Sequence, residues 1–137
     1  MTTTYAYDKN NNRLSLTDSE NKTRSWTYGP RNLVLTKSMP DPSDTCSYSY
    51  DTLRRLKEIW RAGFQPASSP PTITMVYDLA GRMTSRQYSD ATTDTFTYDA
   101  ASRLLTATKG RHAITTTRTY ADDGMMLSEK QSLDGRD

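Results

Sequence analysis

Tyr77-Asp78-Leu79-Ala80-Gly81-Arg82-Met83 is the phrase around which the chain is written, because it returns about every twenty-one residues. It recurs as Tyr98-Asp99-Ala100-Ala101-Ser102-Arg103-Leu104 and as Tyr50-Asp51-Thr52-Leu53-Arg54-Arg55-Leu56. With one extra residue it reads Tyr7-Asp8-Lys9-Asn10-Asn11-Asn12-Arg13-Leu14, and weaker copies begin at Tyr28 and Tyr120. Aligned on their tyrosines the copies start at 7, 28, 50, 77, 98 and 120, at intervals of 21, 22, 27, 21 and 22 residues. A fixed period of this size marks an array of stacked or wound supersecondary units.

The phrase has a mechanical reading. A type I turn favours Asp at its first position and Gly at its fourth, and hairpins of this length close through a left-handed residue that forms a G1 bulge. The position four after each tyrosine is then the left-handed one, filled by Asn11, Asn32, Arg54, Gly81, Ser102 and Gly124. Gly and Asn tolerate positive φ and hold four of these six places, so the bends at Arg54 and Ser102 are expected to be looser or of another type. Asp8, Asp51, Asp78 and Asp99 are the turn-initiating carboxylates, and at Gly29-Pro30-Arg31-Asn32 a Pro with φ already set replaces that arrangement. Before each bend Trp26 and Tyr28, Tyr48 and Tyr50, Met75 and Tyr77, and Phe96 and Tyr98 stand two apart, which on a strand means one face.

On these residues the chain resembles the Rhs or YD-repeat proteins, whose signature is Tyr-Asp-x-x-Gly-Arg-Leu followed by a polar half-repeat. Tyr77 to Met83 matches apart from Met for Leu, Tyr98 to Leu104 lacks only the Gly, and the resemblance spans the whole chain. It implies β-hairpins laid side by side in one antiparallel strip, which in large family members spirals into a hollow shell that encloses or supports another segment. The family includes toxin complexes, polymorphic toxins and teneurin-like receptors, mostly exported or surface-bound. The family's self-cleaving aspartate site is not carried over, because Asp41-Pro42-Ser43-Asp44 lacks its Gly.

Composition agrees with an all-β chain. Only 34% of the 137 residues are apolar, and nine tyrosines with many Thr and Ser give strand propensity with a thin core. The length fits a single YD-repeat domain over residues 1–137. The expected fold is an antiparallel meander of about twelve short strands, running from Thr2–Tyr7 to Met125–Gln131, with Leu56 and Trp60 on one side of the sixth. That exceeds the ~10 strands of a usual open twisted sheet, so the strip is expected to curl, close or split. Residues 62–71, Ala62-Gly63-Phe64-Gln65-Pro66-Ala67-Ser68-Ser69-Pro70-Pro71, form the one insertion and account for the longest interval.

The net charge of +2, with signs interspersed, points to no nucleic-acid partner. No apolar run is long enough for a membrane span, and Met1-Thr2-Thr3-Thr4-Tyr5 lacks a signal-peptide pattern. The chain is expected to be a piece of something longer, since Leu133-Asp134-Gly135-Arg136-Asp137 stops where a turn would be forming. Cys46 and His112 are single and have no spaced partners, so neither a metal site nor a cofactor is expected. There is no Gly-x-Ser-x-Gly and no Gly-rich phosphate loop.

The tyrosines and arginines remain as binding candidates. Tyr50, Trp60, Tyr77 and Tyr98 offer stacking faces for sugar rings, Arg82 and Arg103 offer donors, and Phe64 offers a contact from the insertion. The competing reading is structural, because cross-strand aromatic pairs stabilise sheets by roughly 0.2–1 kcal/mol each. The resulting expectation is a non-catalytic scaffold that self-associates through strand edges or its apolar face, with a carbohydrate- or protein-binding surface as the alternative.

Overall fold

The computed structural model describes residues 2–61 and 71–133. It is all-β, an antiparallel meander of twelve strands in chain order. The contacts gather into two compact units, Met1–Thr72 and Ile73–Asp137. The first holds β1 (Thr4–Tyr7), β2 (Arg13–Thr17), β3 (Thr23–Tyr28), β4 (Val34–Ser38), β5 (Cys46–Tyr50) and β6 (Leu56–Arg61). The second holds β7 (Ile73–Tyr77), β8 (Met83–Tyr88), β9 (Thr93–Tyr98), β10 (Leu104–Lys109), β11 (Ile114–Tyr120) and β12 (Met126–Leu133). One turn of 3-10 helix, Pro42–Asp44, sits in the β4–β5 bend, where the Asp41 carboxylate accepts from the Ser43 amide at 2.9 Å. Within each unit every strand pairs only with its sequence neighbours, so neither unit closes on itself. Most of the insertion, with Phe64, lies outside the described residues.

The tyrosine bends share one geometry. At the second unit's first bend the Asp78 amide donates to the Arg82 carbonyl at 2.9 Å and the Gly81 amide to the Asp78 carbonyl at 3.0 Å. Equivalent pairs of bonds close all six bends, each followed by a register shift. Each tyrosine therefore pairs with the residue six positions on: Tyr7 with Arg13, Tyr28 with Val34, Tyr50 with Leu56, Tyr77 with Met83, Tyr98 with Leu104 and Tyr120 with Met126.

Two expectations about these bends need correcting. Arg54 and Ser102 do not loosen their turns: both sit at φ 65°, beside Asn11 at 63°, Asn32 at 59°, Gly81 at 84° and Gly124 at 93°. A left-handed non-Gly residue costs roughly 1–2 kcal/mol, and here the preceding carboxylate offsets it. Asp51 accepts from the Leu53 and Arg55 amides, each at 2.9 Å, and from Arg55 Nε at 2.6 Å. The first copy, secondly, carries no extra residue in its bend. Asn12 occupies the place of Arg55, Arg82 and Arg103 and donates its Nδ2 to Asp8 at 2.8 Å, while Arg13 takes the leucine place opposite Tyr7.

The bulge also resets which way the outgoing strand faces. Directly paired residues share a face in an antiparallel sheet. Leu56 and Ile59 lie with Tyr50 and Tyr48, whereas Trp60 pairs with Ser47 and Glu58 with Ser49. Trp60 is therefore on the opposite face from Leu56, contrary to simple alternation. That second face is lined with hydroxyls that bond across strands: Thr27 with Thr36 at 2.6 Å, Thr97 with Thr106 at 2.6 Å and Thr119 with Ser128 at 2.7 Å. The ring face is the more covered one, yet no apolar side chain among the described residues is fully buried. Among the described residues the one buried side chain is that of Asp94, at 4% exposure.

Candidate functional site

Three groupings of side chains stand out on the ring face. The first is a ladder that, within each unit, ties one copy to the next. Tyr98 Oη donates to the Met83 carbonyl at 2.9 Å, Tyr120 Oη to Leu104 at 2.8 Å, Tyr50 Oη to Val34 at 2.9 Å and Tyr28 Oη to Arg13 at 3.0 Å. In each case the acceptor is the residue that opens the outgoing strand of the preceding copy. Arginines run the other way. Arg82 Nε holds Asp78 at 2.7 Å, Nη1 donates to the Asp99 carbonyl of the next bend at 2.9 Å, and the guanidinium lies 4.9 Å from the Tyr98 ring centroid. Arg103 repeats this with Asp99, the Ala121 carbonyl and the Tyr120 ring. Arg13 stands 4.2 Å over Trp26.

The bend carboxylates are held below the usual carboxylate range. For Asp78 and Asp99 the main cause is the amide of the arginine four residues on; for Asp8 it is the Asn12 side chain. Burial opposes the shift at Asp51, where the bonds from Arg55 prevail. These acids are spent on bend geometry, and none is poised near neutral pH as a general acid would be.

The second grouping is an apolar cleft of about 300 Å³ in the first unit, lined by Trp26, Val34, Lys37, Tyr48, Tyr50 and Leu56. Burial raises the Tyr48 and Tyr50 phenols. Of the binding candidates read from sequence, only Tyr50 lines it. Trp60 is on the other face, Phe64 lies outside the described residues, and Tyr77 donates to Met75 Sδ at 3.7 Å. Arg82, Tyr98 and Arg103 are brought together, but in the ladder.

The third grouping was not anticipated. In the second unit Arg86, Tyr88, Asp94, Lys109, Arg111 and His112 line a cavity of about 270 Å³ at the edge opposite the tyrosine bends. Buried Asp94 accepts from Arg86 Nη2 at 2.7 Å, Tyr88 Oη at 2.9 Å and the Gly110 amide at 3.1 Å. Burial pushes its carboxyl up, but the Arg86 and Tyr88 bonds outweigh this and leave it below the usual value. The Arg86 and Arg111 guanidiniums stand 5.3 and 5.6 Å from the Tyr88 ring centroid, and Arg111 pairs with Asp90. The available signal is a column: the place four before each tyrosine holds Thr3, Arg24, Cys46, Ile73 and Thr116 in the other copies and an acid only here. Among the described residues no group of three or more His, Cys, Asp or Glu is placed to hold a metal, and no helix is long and apolar enough to cross a membrane.

No family model matches the chain, and no curated protein does. Solved structures do. The crystal structure of TcdB2-TccC3-TEV matches with TM-score 0.60 at 15% identity, covering 98% of this chain and 9% of that chain. TcdB2-TccC3-Cdc42 matches with TM-score 0.59 and TcdB2-TccC3 with 0.58, each at 15% identity over 98% of this chain and 9% of theirs. The chain thus spans less than a tenth of the length of the chains it resembles. At that identity the likeness is one of fold, and the fold is the Rhs or YD-repeat hairpin strip found in the TcdB2-TccC3 structures.

Proposed function

We propose that the chain is a non-catalytic structural module, a stretch of YD-repeat shell that encloses or presents a toxin or another partner segment. The observation that carries this reading is the ladder. Within each unit the tyrosines that define the repeat join one copy to the one before it, through hydroxyl bonds of 2.8–3.0 Å from Tyr28, Tyr50, Tyr98 and Tyr120. The match of nearly the whole chain to a small part of the TcdB2-TccC3 chains supports the same reading.

A shell wall is extended by adding strands, and the terminal strands are suited to that. Tyr5 and Tyr7 on β1 are 52% and 54% exposed, and Met126, Leu127 and Leu133 on β12 are similarly open. Unpaired strand edges with apolar side chains template association. Light scattering across a dilution series tests this: mass rising with concentration is expected, and Tyr5→Lys with Leu127→Lys should abolish the rise. A monomer of constant mass at all concentrations would refute it.

The cleft at Trp26, Tyr48 and Tyr50 favours a second reading, a carbohydrate- or protein-binding surface, since aromatic rings beside Lys37 offer stacking with a donor. A glycan array settles between them. Saturable binding lost in Trp26→Ala but kept in Trp60→Ala selects the binding surface; no saturable signal selects the scaffold.

A further inference from the structure

We propose that the cavity between Arg86, Lys109, Arg111 and His112 binds a small oxyanion, the phosphate or carboxylate group of a small molecule. The repeat itself isolates this place. Nine residues after each tyrosine the other copies carry Leu16, Lys37, Ile59, Ala107 and Glu129, and this copy carries Arg86; its partner Asp94 stands where the others have Thr3, Arg24, Cys46, Ile73 and Thr116. Only this copy sets an ion pair with one member buried at those two positions. Buried pairs are weak contributors to stability compared with packed apolar side chains, so the departure needs another purpose.

The charge balance says what the purpose is. Asp94 is saturated by three donors and matched by Arg86, and Asp90 is matched by Arg111. Lys109 has no ion-pair partner among the described residues, so the cluster holds one positive charge in excess of its two carboxylates, with His112 as a further donor. Arg86 Nε is a buried donor with no hydrogen-bond acceptor. A buried donor is seldom left unmatched, and a ligand oxygen would match it. Sugar stacking is disfavoured, since two guanidiniums already stand by the Tyr88 ring. The volume of about 270 Å³ falls below the usual range for drug-sized ligands, which limits the occupant to a small one.

The test is an amide NMR titration of the full chain with sodium phosphate, sodium acetate and sodium chloride at constant ionic strength. Saturable shifts of the Gly110, Arg111 and His112 amides are expected with an oxyanion and not with chloride. Saturation by phosphate alone selects a tetrahedral ligand; saturation by both selects carboxylates as well. Lys109→Gln and His112→Ala, both at exposed positions, should weaken binding, the former by roughly tenfold for a lost charge-assisted bond. Lys130→Gln on β12, whose partner Thr117 is on the hydroxyl face, should leave it unchanged. No saturable shift with either oxyanion, or equal weakening by Lys130→Gln, overturns the proposal.

Discussion

Removing one hydroxyl from the ladder separates its two components. Tyr98→Phe deletes the 2.9 Å bond to the Met83 carbonyl and keeps the ring that Arg82 covers at 4.9 Å. A hydrogen bond of this kind contributes about 0.5–1.5 kcal/mol net. For a unit of this size a loss of ~1 kcal/mol lowers the melting temperature by roughly 4–8 °C. The ring contact is a separate quantity of about 0.5–1 kcal/mol at a partly exposed site. A double-mutant cycle by urea unfolding reads both: Arg82→Gln should couple to Tyr98→Leu by that amount and to Tyr98→Phe hardly at all, because Phe retains the ring. If Tyr98→Phe leaves stability within ~0.3 kcal/mol of the parent, or couples to Arg82→Gln as strongly as Leu does, the ladder does not join the copies as described.

Other perturbations probe the bends and the buried acid. Arg54→Gly removes a left-handed penalty of roughly 1–2 kcal/mol against a glycine entropy cost of ~0.5–1, so a net gain of a few tenths to ~1 kcal/mol is expected in chemical denaturation. Gly110→Ala should destabilise the second unit by roughly 1–3 kcal/mol, because a Cβ there would stand 2.3 Å from the Thr93 carbonyl oxygen; hydrogen exchange at β9 and β10 reads the loss. On acidification, Asp78, Asp94 and Asp99 have folded values below their unfolded ones. Their contribution is therefore whole above the unfolded value of about 3.9 and is lost as pH falls through the folded values. Unfolding free energy should stay flat from neutrality to about pH 4 and fall below it, less steeply in Asp94→Asn.

Much of this fold was legible in the sequence, because each bend is specified locally. An Asp, a left-handed position and an Arg within five residues are enough to locate a hairpin, and the strands follow from the spaces between. What was not legible depends on the bulge. It turns the outgoing strand over, so alternation counted through the bend puts Trp60 beside Leu56 when the register separates them. It also absorbs a residue, so Arg13 counts as late in the phrase although it stands where Leu56 and Leu104 stand. Residue type alone does not reveal the bends at Arg54 and Ser102, because the Asp51 and Asp99 carboxylates hold them. The Arg86 cluster was hidden by reading along the chain, where Asp94 is an ordinary strand residue. Read down the copies, it is the one acid in a column that otherwise holds Arg24 and neutral side chains.

The constant spacing of six from tyrosine to partner has a consequence for how such a protein can change. Each of the six tyrosine bends closes with its own atoms, so gaining or losing a whole copy leaves the hydrogen-bond rings within the others intact, and length is free to drift by duplication. Loss of one residue inside a bend is different: it would invert a strand and expose rings where hydroxyls belong. The inheritance of such a chain is therefore tolerant of large edits in whole modules and intolerant of single-codon slips at the corners.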